Sequence, residues 1–187
     1  MTALCDEPTL RALTQAIQSG GGDPIQRVDD VIAKHPEDAR LHFLRGSLLA
    51  SAQRYIEAHQ SLSRAVELAP DFAIARFQLG FFQLTSGETA NALDTWGRLD
   101  GLPDGHYLRK FVDGLRCLIR DDFHGVLQRL GEGIALNNEN PPLNRDMQLI
   151  IERCTPLAQQ ARDSNTGDVS SETALILQQF SQRQQPN

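Results

Sequence analysis

The sequence predicts an all-α chain built from a series of antiparallel helix pairs, and three observations lead to that fold class. Glycine recurs at a step of 34 residues, at Gly46, Gly80 and Gly114. Apolar residues follow one another at helical spacing, and small residues fall where two paired helices would cross. A fixed period of this length is typical of repeat proteins, in which each helix pair buries its apolar faces by stacking on its neighbours.

The composition is that of an ordinary globular protein. Of the 187 residues, 40% are hydrophobic and 22% are charged, and no run approaches the roughly 18 apolar residues of a membrane-spanning helix. The N-terminal stretch is acidic, unlike a secretory signal. Three scattered cysteines, Cys5, Cys117 and Cys154, fit a reducing compartment, and a net charge of −6 argues against nucleic-acid and anionic-membrane partners. We therefore expect a cytoplasmic protein that binds neither nucleic acid nor membrane.

The first repeat, residues 5–38, is degenerate. It aligns with the clearer repeats because Val28 and Val31 fall one period before Leu62 and Ala65. The glycine run at 20–22 is followed by no Lys-Ser/Thr pair, so it predicts a hairpin turn and not a phosphate-binding loop. Asp23 is then expected to cap the next helix, with Pro24 at its first position.

The second repeat, residues 39–72, carries the clearest pattern. Gly46 on the first helix and Ala58 and Ala65 on the second are small enough to let the two helices cross closely. Stripes of apolar residues mark the buried face of each helix. Proline closes this repeat at Pro70, just after its second helix, where a residue that cannot continue a helix is well placed.

The next two repeats, 73–106 and 107–140, depart from that pattern near their ends. The third repeat keeps Gly80 and Trp96 but has Asp104 at the closing position. The fourth keeps Gly114 and Leu130 but has Asn138 there. The ends of their second helices are therefore left open by the sequence.

The chain changes character after residue 140. A capping helix is expected over 141–156, running to about Arg153, with Pro156 kinking or breaking it. The small polar stretch 163–171 predicts a linker, and a short apolar segment follows at 172–180. The expected organisation is therefore a repeat array over 1–160 and a tail over 161–187.

In its motifs the chain resembles the tetratricopeptide repeat family. The signature combines the 34-residue period with the glycine, spaced alanines, aromatic and closing proline that residues 39–72 carry as Gly46, Tyr55, Ala58, Ala65 and Pro70. The resemblance covers about three quarters of the chain. It implies a right-handed superhelical solenoid whose first helices line a concave face that binds a protein partner.

The candidate partner-binding surface follows from that implied concave face. Phe43, Phe77 and Phe111 recur at the 34-residue step on the first helices. Such a row has two interpretations that the sequence leaves open: packing between successive first helices, or a hydrophobic groove for a peptide or an amphipathic helix. The full expected contact set is Phe43, Ser47, Ile74, Phe77, Phe81, Leu108, Phe111 and Leu115.

Basic residues near this row form an expected rim, either solvated or facing an acidic partner: Arg76, Arg109, Lys110 and Arg116. The family's clamps for a partner's terminal carboxylate use Lys, Arg and Asn where this chain has Phe, Leu and Ser, so that ligand is disfavoured. No spacing of His, Cys or carboxylates predicts a metal, cofactor or catalytic site.

Two functions from different classes remain. The first is a non-catalytic interaction module, such as an adaptor, scaffold or chaperone, that binds a protein or peptide in the groove. The alternative is a structural component that forms a homodimer or larger homo-oligomer through the groove or the C-terminal segment. An enzyme is not expected.

Overall fold

A computed structural model describes residues 4–20 and 22–163. The regular structure of these residues is helical. The helices are α1 (Glu7–Gln18), α2 (Pro24–Ile32), α3 (Ala39–Ser51), α4 (Tyr55–Leu68), α5 (Ala73–Thr85), α6 (Thr89–Trp96), α7 (Tyr107–Ile119), α8 (Phe123–Leu136) and α9 (Pro141–Asp163), with a 3₁₀ helix (Gly97–Gly101) after α6.

Helix starts repeat at the period seen in the sequence. The helices α3, α5, α7 and α9 begin at Ala39, Ala73, Tyr107 and Pro141, each 34 residues after the one before. Along the chain, α3 packs on α4 and α7 packs on α8. The all-α fold class and the pairing of successive helices are therefore confirmed.

Carboxylates at the helix starts fix several of the boundaries. The Asp23 side chain accepts hydrogen bonds from the backbone N–H groups of Ile25 and Gln26, and Pro24 is the first residue of α2, as the sequence predicts. The turn before it places Gly20 and Gly22 at φ of 76° and 75°, a left-handed conformation that favours glycine.

Each of the three period-related glycines lies under a large side chain of the paired helix. Leu62 lies over Gly46, Trp96 over Gly80 and Leu130 over Gly114. A Cβ at any of these glycines would come within 3 Å of that side chain. The absence of a Cβ is therefore what lets the two helices of each pair approach.

The chain divides into two compact units, Met1–Leu79 and Gly80–Asn187, with the boundary inside α5. In the N-terminal unit, the buried side chains of Cys5, Leu13, Val28 and Leu41 form one cluster. In the C-terminal unit, α8 packs on both α7 and α9.

The end of α9 differs from the prediction. The sequence predicts a kink or break at Pro156, but the helix continues through this proline to Asp163. The buried stripe of α9 extends past the proline, from Met147 and Ile150 to Cys154 and Ala158, so packing on both sides of Pro156 keeps the helix continuous. The expected linker therefore begins inside α9 at Asp163, while its remainder and the apolar segment 172–180 lie outside the described residues.

Candidate partner-binding surfaces

The predicted contact row is only partly exposed in the N-terminal unit. Phe43 and Ser47 on α3 and Ile74 on α5 are half-buried, whereas Phe77 is fully buried. The Phe43 ring lies 5.2 Å from that of Phe72. These positions leave an apolar strip along α3 and the start of α5 that remains accessible to a partner.

The Ser47 hydroxyl links α3 to α5 within this strip. Its Oγ lies 2.9 Å from the Oε1 of Gln78, to which it can donate a hydrogen bond. The strip therefore contains a hydroxyl and an amide between its apolar side chains, and a partner's backbone can exchange hydrogen bonds with them.

The C-terminal unit buries most of its part of the row. Phe81 is half-buried, but Leu108, Phe111 and Leu115 are at most 1% exposed. The Phe111 ring covers Gly133 of α8 and meets the Tyr107 ring edge-on, with centroids 5.8 Å apart. Phe111 therefore packs inside the α7–α8 pair.

Burial changes the expected contact set. A partner finds almost no contact area at four of the expected positions, which are at most 1% exposed: Phe77, Leu108, Phe111 and Leu115. For Phe77 and Phe111 this burial favours packing over a groove, although Phe111 packs inside the α7–α8 pair and not between successive first helices. Phe43, Ser47, Ile74 and Phe81 keep partial exposure.

The expected rim cations are engaged within the chain. Arg76 donates from Nε and Nη2 to the Pro70 carbonyl oxygen, at 3.0 and 2.8 Å. Arg109 donates to the Leu102 carbonyl at 2.7 Å and pairs with Asp104 at 2.8 Å.

The other two rim cations are held by carboxylates. Arg116 makes a two-pronged contact with Asp100, and Lys110 Nζ lies 2.9 Å from a Glu132 oxygen. The hydrogen bond from Lys110, followed by one from Gln128, lowers the pKa of Glu132 to about 2. An acidic partner would therefore have to compete with these internal carboxylates for the cations.

The N-terminal unit contains a pocket that sequence reasoning did not predict, and we name it the α3–α4 pocket. It has a volume of about 540 Å³ and lies between the start of α3 and the end of α4. Its lining residues are Leu4, Glu37, Asp38, Ala39, Arg40, Leu68, Ala69, Pro70, Asp71 and Phe72. The repeat register alone could not find it, because it is made by the segments between helices.

The described residues offer no constellation for catalysis by a thiol or a metal. Burial raises the pKa of the Cys5 and Cys117 thiols, and it raises that of Cys154 to about 12, so all three are poor nucleophiles. Within residues 4–20 and 22–163, no group of three or more His, Cys, Asp or Glu side chains is placed to hold a metal ion. No helix of that part of the chain has both the length and the apolar character that crossing a bilayer requires.

Comparison with known proteins rests on structure. No protein-family model and no curated protein matches the sequence. The structure is similar to that of MamA, residues 41 to the end, from Desulfovibrio magneticus RS-1, a tetratricopeptide-like protein. The TM-score is 0.56 and the sequence identity 12%, and the match covers 88% of this chain and 100% of the MamA chain. This likeness supports a tetratricopeptide-like fold for the chain.

Proposed function

We propose that the chain is a non-catalytic protein-interaction module, an adaptor or scaffold that binds a peptide or an amphipathic helix of a partner. The strip of Phe43, Ser47 and Ile74 on the N-terminal unit is the proposed contact. Phe81, which keeps partial exposure on the C-terminal unit, is a separate candidate position. The fold class supports this proposal, because helix-pair repeats present extended surfaces for protein partners.

The observation that carries the proposal is a difference in burial between equivalent positions. Ile74 is half-buried, whereas Leu108, one period later, is 1% exposed. Phe43 is half-buried, whereas Phe77 and Phe111 are fully buried. The later repeats therefore bury the side chains at these two register positions. On α3 and at the start of α5 the same positions stay partly exposed, which leaves apolar area for a partner to bury.

Crosslinking capture from the source cell tests the proposal with a matched pair of variants. Ile74→Ala removes an apolar side chain from the strip, whereas Ile56→Ala removes the same side chain from α4, where Ile56 is 78% exposed and lies outside the strip. We expect Ile74→Ala to weaken capture of a specific partner about tenfold or more, because anchor side chains carry most of the binding energy at an interface. Ile56→Ala should leave capture unchanged, and circular dichroism should show the same helix content for both.

Equal capture by the two variants would contradict the proposed strip.

Self-assembly is tested by sedimentation velocity on the full chain and on a chain lacking residues 172–187. We expect a sedimentation coefficient that is independent of concentration. A dimer that grows with concentration and is lost on truncation would instead support the structural homo-oligomer.

A further inference from the structure

We propose that the α3–α4 pocket is a second binding site, which takes a peptide segment carrying an apolar side chain next to a lysine or arginine. This site shares no lining residue with the strip of Phe43, Ser47 and Ile74, and the Phe43 ring contacts it only from behind, through Phe72. Its volume of about 540 Å³ falls within the range of roughly 300 to 1,000 Å³ that is usual for ligand sites.

The lining supplies the apolar part of the site. Leu4 is 64% exposed and forms one side of the pocket. The opposite side is formed by the end of α4 and the segment after it, including Ala69, Pro70 and the half-buried Phe72. An exposed leucine facing such a wall gains free energy when a further apolar side chain enters between them and removes both surfaces from water.

One wall of the pocket is held in place before any ligand binds. Asp38, which is 2% exposed, accepts hydrogen bonds from the backbone N–H groups of Cys5 and Arg40, each at 3.0 Å. The Arg40 guanidinium donates to Asp38, to Glu7 and to the Cys5 carbonyl oxygen. This network ties the segment before α1 to the start of α3. It holds the backbone of Cys5, and Cys5 in turn fixes the position of Leu4 beside it.

The facing wall is fixed by different contacts. The Phe72 ring packs on Phe43, and the Pro70 carbonyl oxygen accepts two hydrogen bonds from Arg76. A pocket with both walls held loses little conformational entropy when it binds a ligand.

Charge defines the second part of the ligand. The lining contains the carboxylates of Glu37, Asp38 and Asp71 and the single guanidinium of Arg40, which is already paired with Asp38 and Glu7. Glu37 and Asp71 are exposed, and with the Arg76 guanidinium on the Pro70 carbonyl counted as well, carboxylates still outnumber cations around the pocket. A cationic side chain beside the apolar anchor would therefore be attracted to the pocket.

The helix ends add to the same field. The C-terminal end of α4, at Leu68 and Ala69, faces the pocket with its partial negative charge. The positive N-terminal end of α3 is covered by the Asp38 carboxylate, which caps it. The negative end of α4 therefore adds to the excess of carboxylates in favouring a cation.

Charge also argues against the chain's own C-terminal residues as the occupant. Residues 164–187 contain two carboxylates, Asp168 and Glu172, and a single cation, Arg183. A segment with net negative charge is not complementary to this pocket. A basic, apolar-anchored peptide of a partner protein fits it better.

Amide chemical shifts of the full ¹⁵N-labelled chain test the proposal with three synthetic hexapeptides. The probe KLRKLK carries both features, KSRKSK lacks the apolar anchor, and ELEELE reverses the charge. We expect KLRKLK to shift the amide signals of Ala39, Ala69 and Phe72 in a saturable manner. KSRKSK should bind about tenfold or more weakly because burial of a leucine side chain is lost, and ELEELE should not bind.

Charge-reversal variants separate the pocket from general attraction to an acidic protein. Glu37→Lys with Asp71→Lys should weaken KLRKLK binding about tenfold, and added salt should weaken binding to the unmodified chain. Glu57→Lys is the matched control, because Glu57 lies at the other end of α4, about 16 Å away along the helix axis, and its pair with Arg54 is exposed. It should leave binding unchanged.

Four outcomes would overturn the proposal. Absence of shifts with KLRKLK at millimolar concentration would show that the pocket binds no such peptide. Equal binding of KSRKSK would show that the leucine side chains do not contribute to binding. Binding that appears only in a chain lacking residues 1–3 would assign the pocket to the chain's own first residues. Shifts of the same amides that grow with protein concentration alone would assign it to a second copy. None of these results depends on whether the strip of Phe43, Ser47 and Ile74 captures a partner.

Discussion

Glycines inside the helices of this chain have different roles. Gly80 lies under the buried Trp96 ring, whereas Gly131, inside α8, has no neighbouring atom within 4 Å of where a Cβ would stand. The 34-residue period singles out Gly80 but contains no information on Gly131. The difference arises because only at Gly80 does the paired helix place a rigid ring over the backbone.

The same substitution at these two glycines should change stability in opposite directions. Gly80→Ala would place a methyl group against the Trp96 indole and should lower the free energy of unfolding by about 1 to 3 kcal/mol. Gly131→Ala should raise it by about 0.5 to 1 kcal/mol, because alanine loses less backbone entropy in a helix. Urea unfolding followed by circular dichroism measures both. A neutral Gly80→Ala would show that the helix crossing is not at this residue.

The row of phenylalanines shows what the sequence could predict at the scale of one residue. Phe43, Phe77 and Phe111 occupy one register position, yet only Phe43 stays half-buried. Phe111 is covered because its ring packs over Gly133, a contact that depends on the facing helix. Register therefore predicted which residues are equivalent, while burial depended on each residue's own surroundings.

At the scale of an element, α9 has a proline in its fifth turn, at a position where a residue normally donates a backbone hydrogen bond. Pro156 has no N–H for the Glu152 carbonyl, and its ring crowds that carbonyl. The Thr155 hydroxyl donates to the Ile151 carbonyl at 2.8 Å, and Cys154 and Ala158 are buried on either side of the proline. Packing of the apolar face therefore outweighs the local preference of Pro156.

Replacing this proline should strengthen α9. Pro156 is exposed, so Pro156→Ala restores a backbone hydrogen bond without changing the core, and we expect an increase of about 1 to 3 kcal/mol in the free energy of unfolding. Pro142→Ala is the matched control in the first turn of the same helix, where no N–H is needed, and it should change stability by less than about 0.5 kcal/mol. Equal effects of the two substitutions in thermal unfolding would contradict this account of α9.

The ion pair between α7 and α8 should make part of the stability depend on pH. Because the pKa of Glu132 is lowered to about 2, the stabilisation that it supplies is complete above its ordinary pKa, near pH 4.5, and is lost as the pH falls toward 2. We therefore expect the melting temperature to fall less between pH 5 and pH 2 in Glu132→Gln and in Lys110→Gln than in the unmodified chain. Parallel curves for all three proteins would show that the pair does not contribute.

At the scale of the whole molecule, the helix starts at Ala39, Ala73, Tyr107 and Pro141 keep the 34-residue step, whereas the contacts divide the chain inside α5. Nothing in the repeat pattern marks that division, because Gly80 has the same register position as Gly46 and Gly114. The expected organisation into an array over 1–160 and a tail over 161–187 stays a prediction.

The sequence by itself determined the helical class, the pairing of successive helices and the glycines at which they cross, because periodic spacing and side-chain size are local properties of the chain. Only the tertiary structure decided that Phe77 and Phe111 are buried, that Lys110 and Arg116 pair with Glu132 and Asp100, and that a pocket opens between α3 and α4. Burial, ion pairing and pocket shape depend on which side chains from distant segments meet, and the repeat period does not specify those partners.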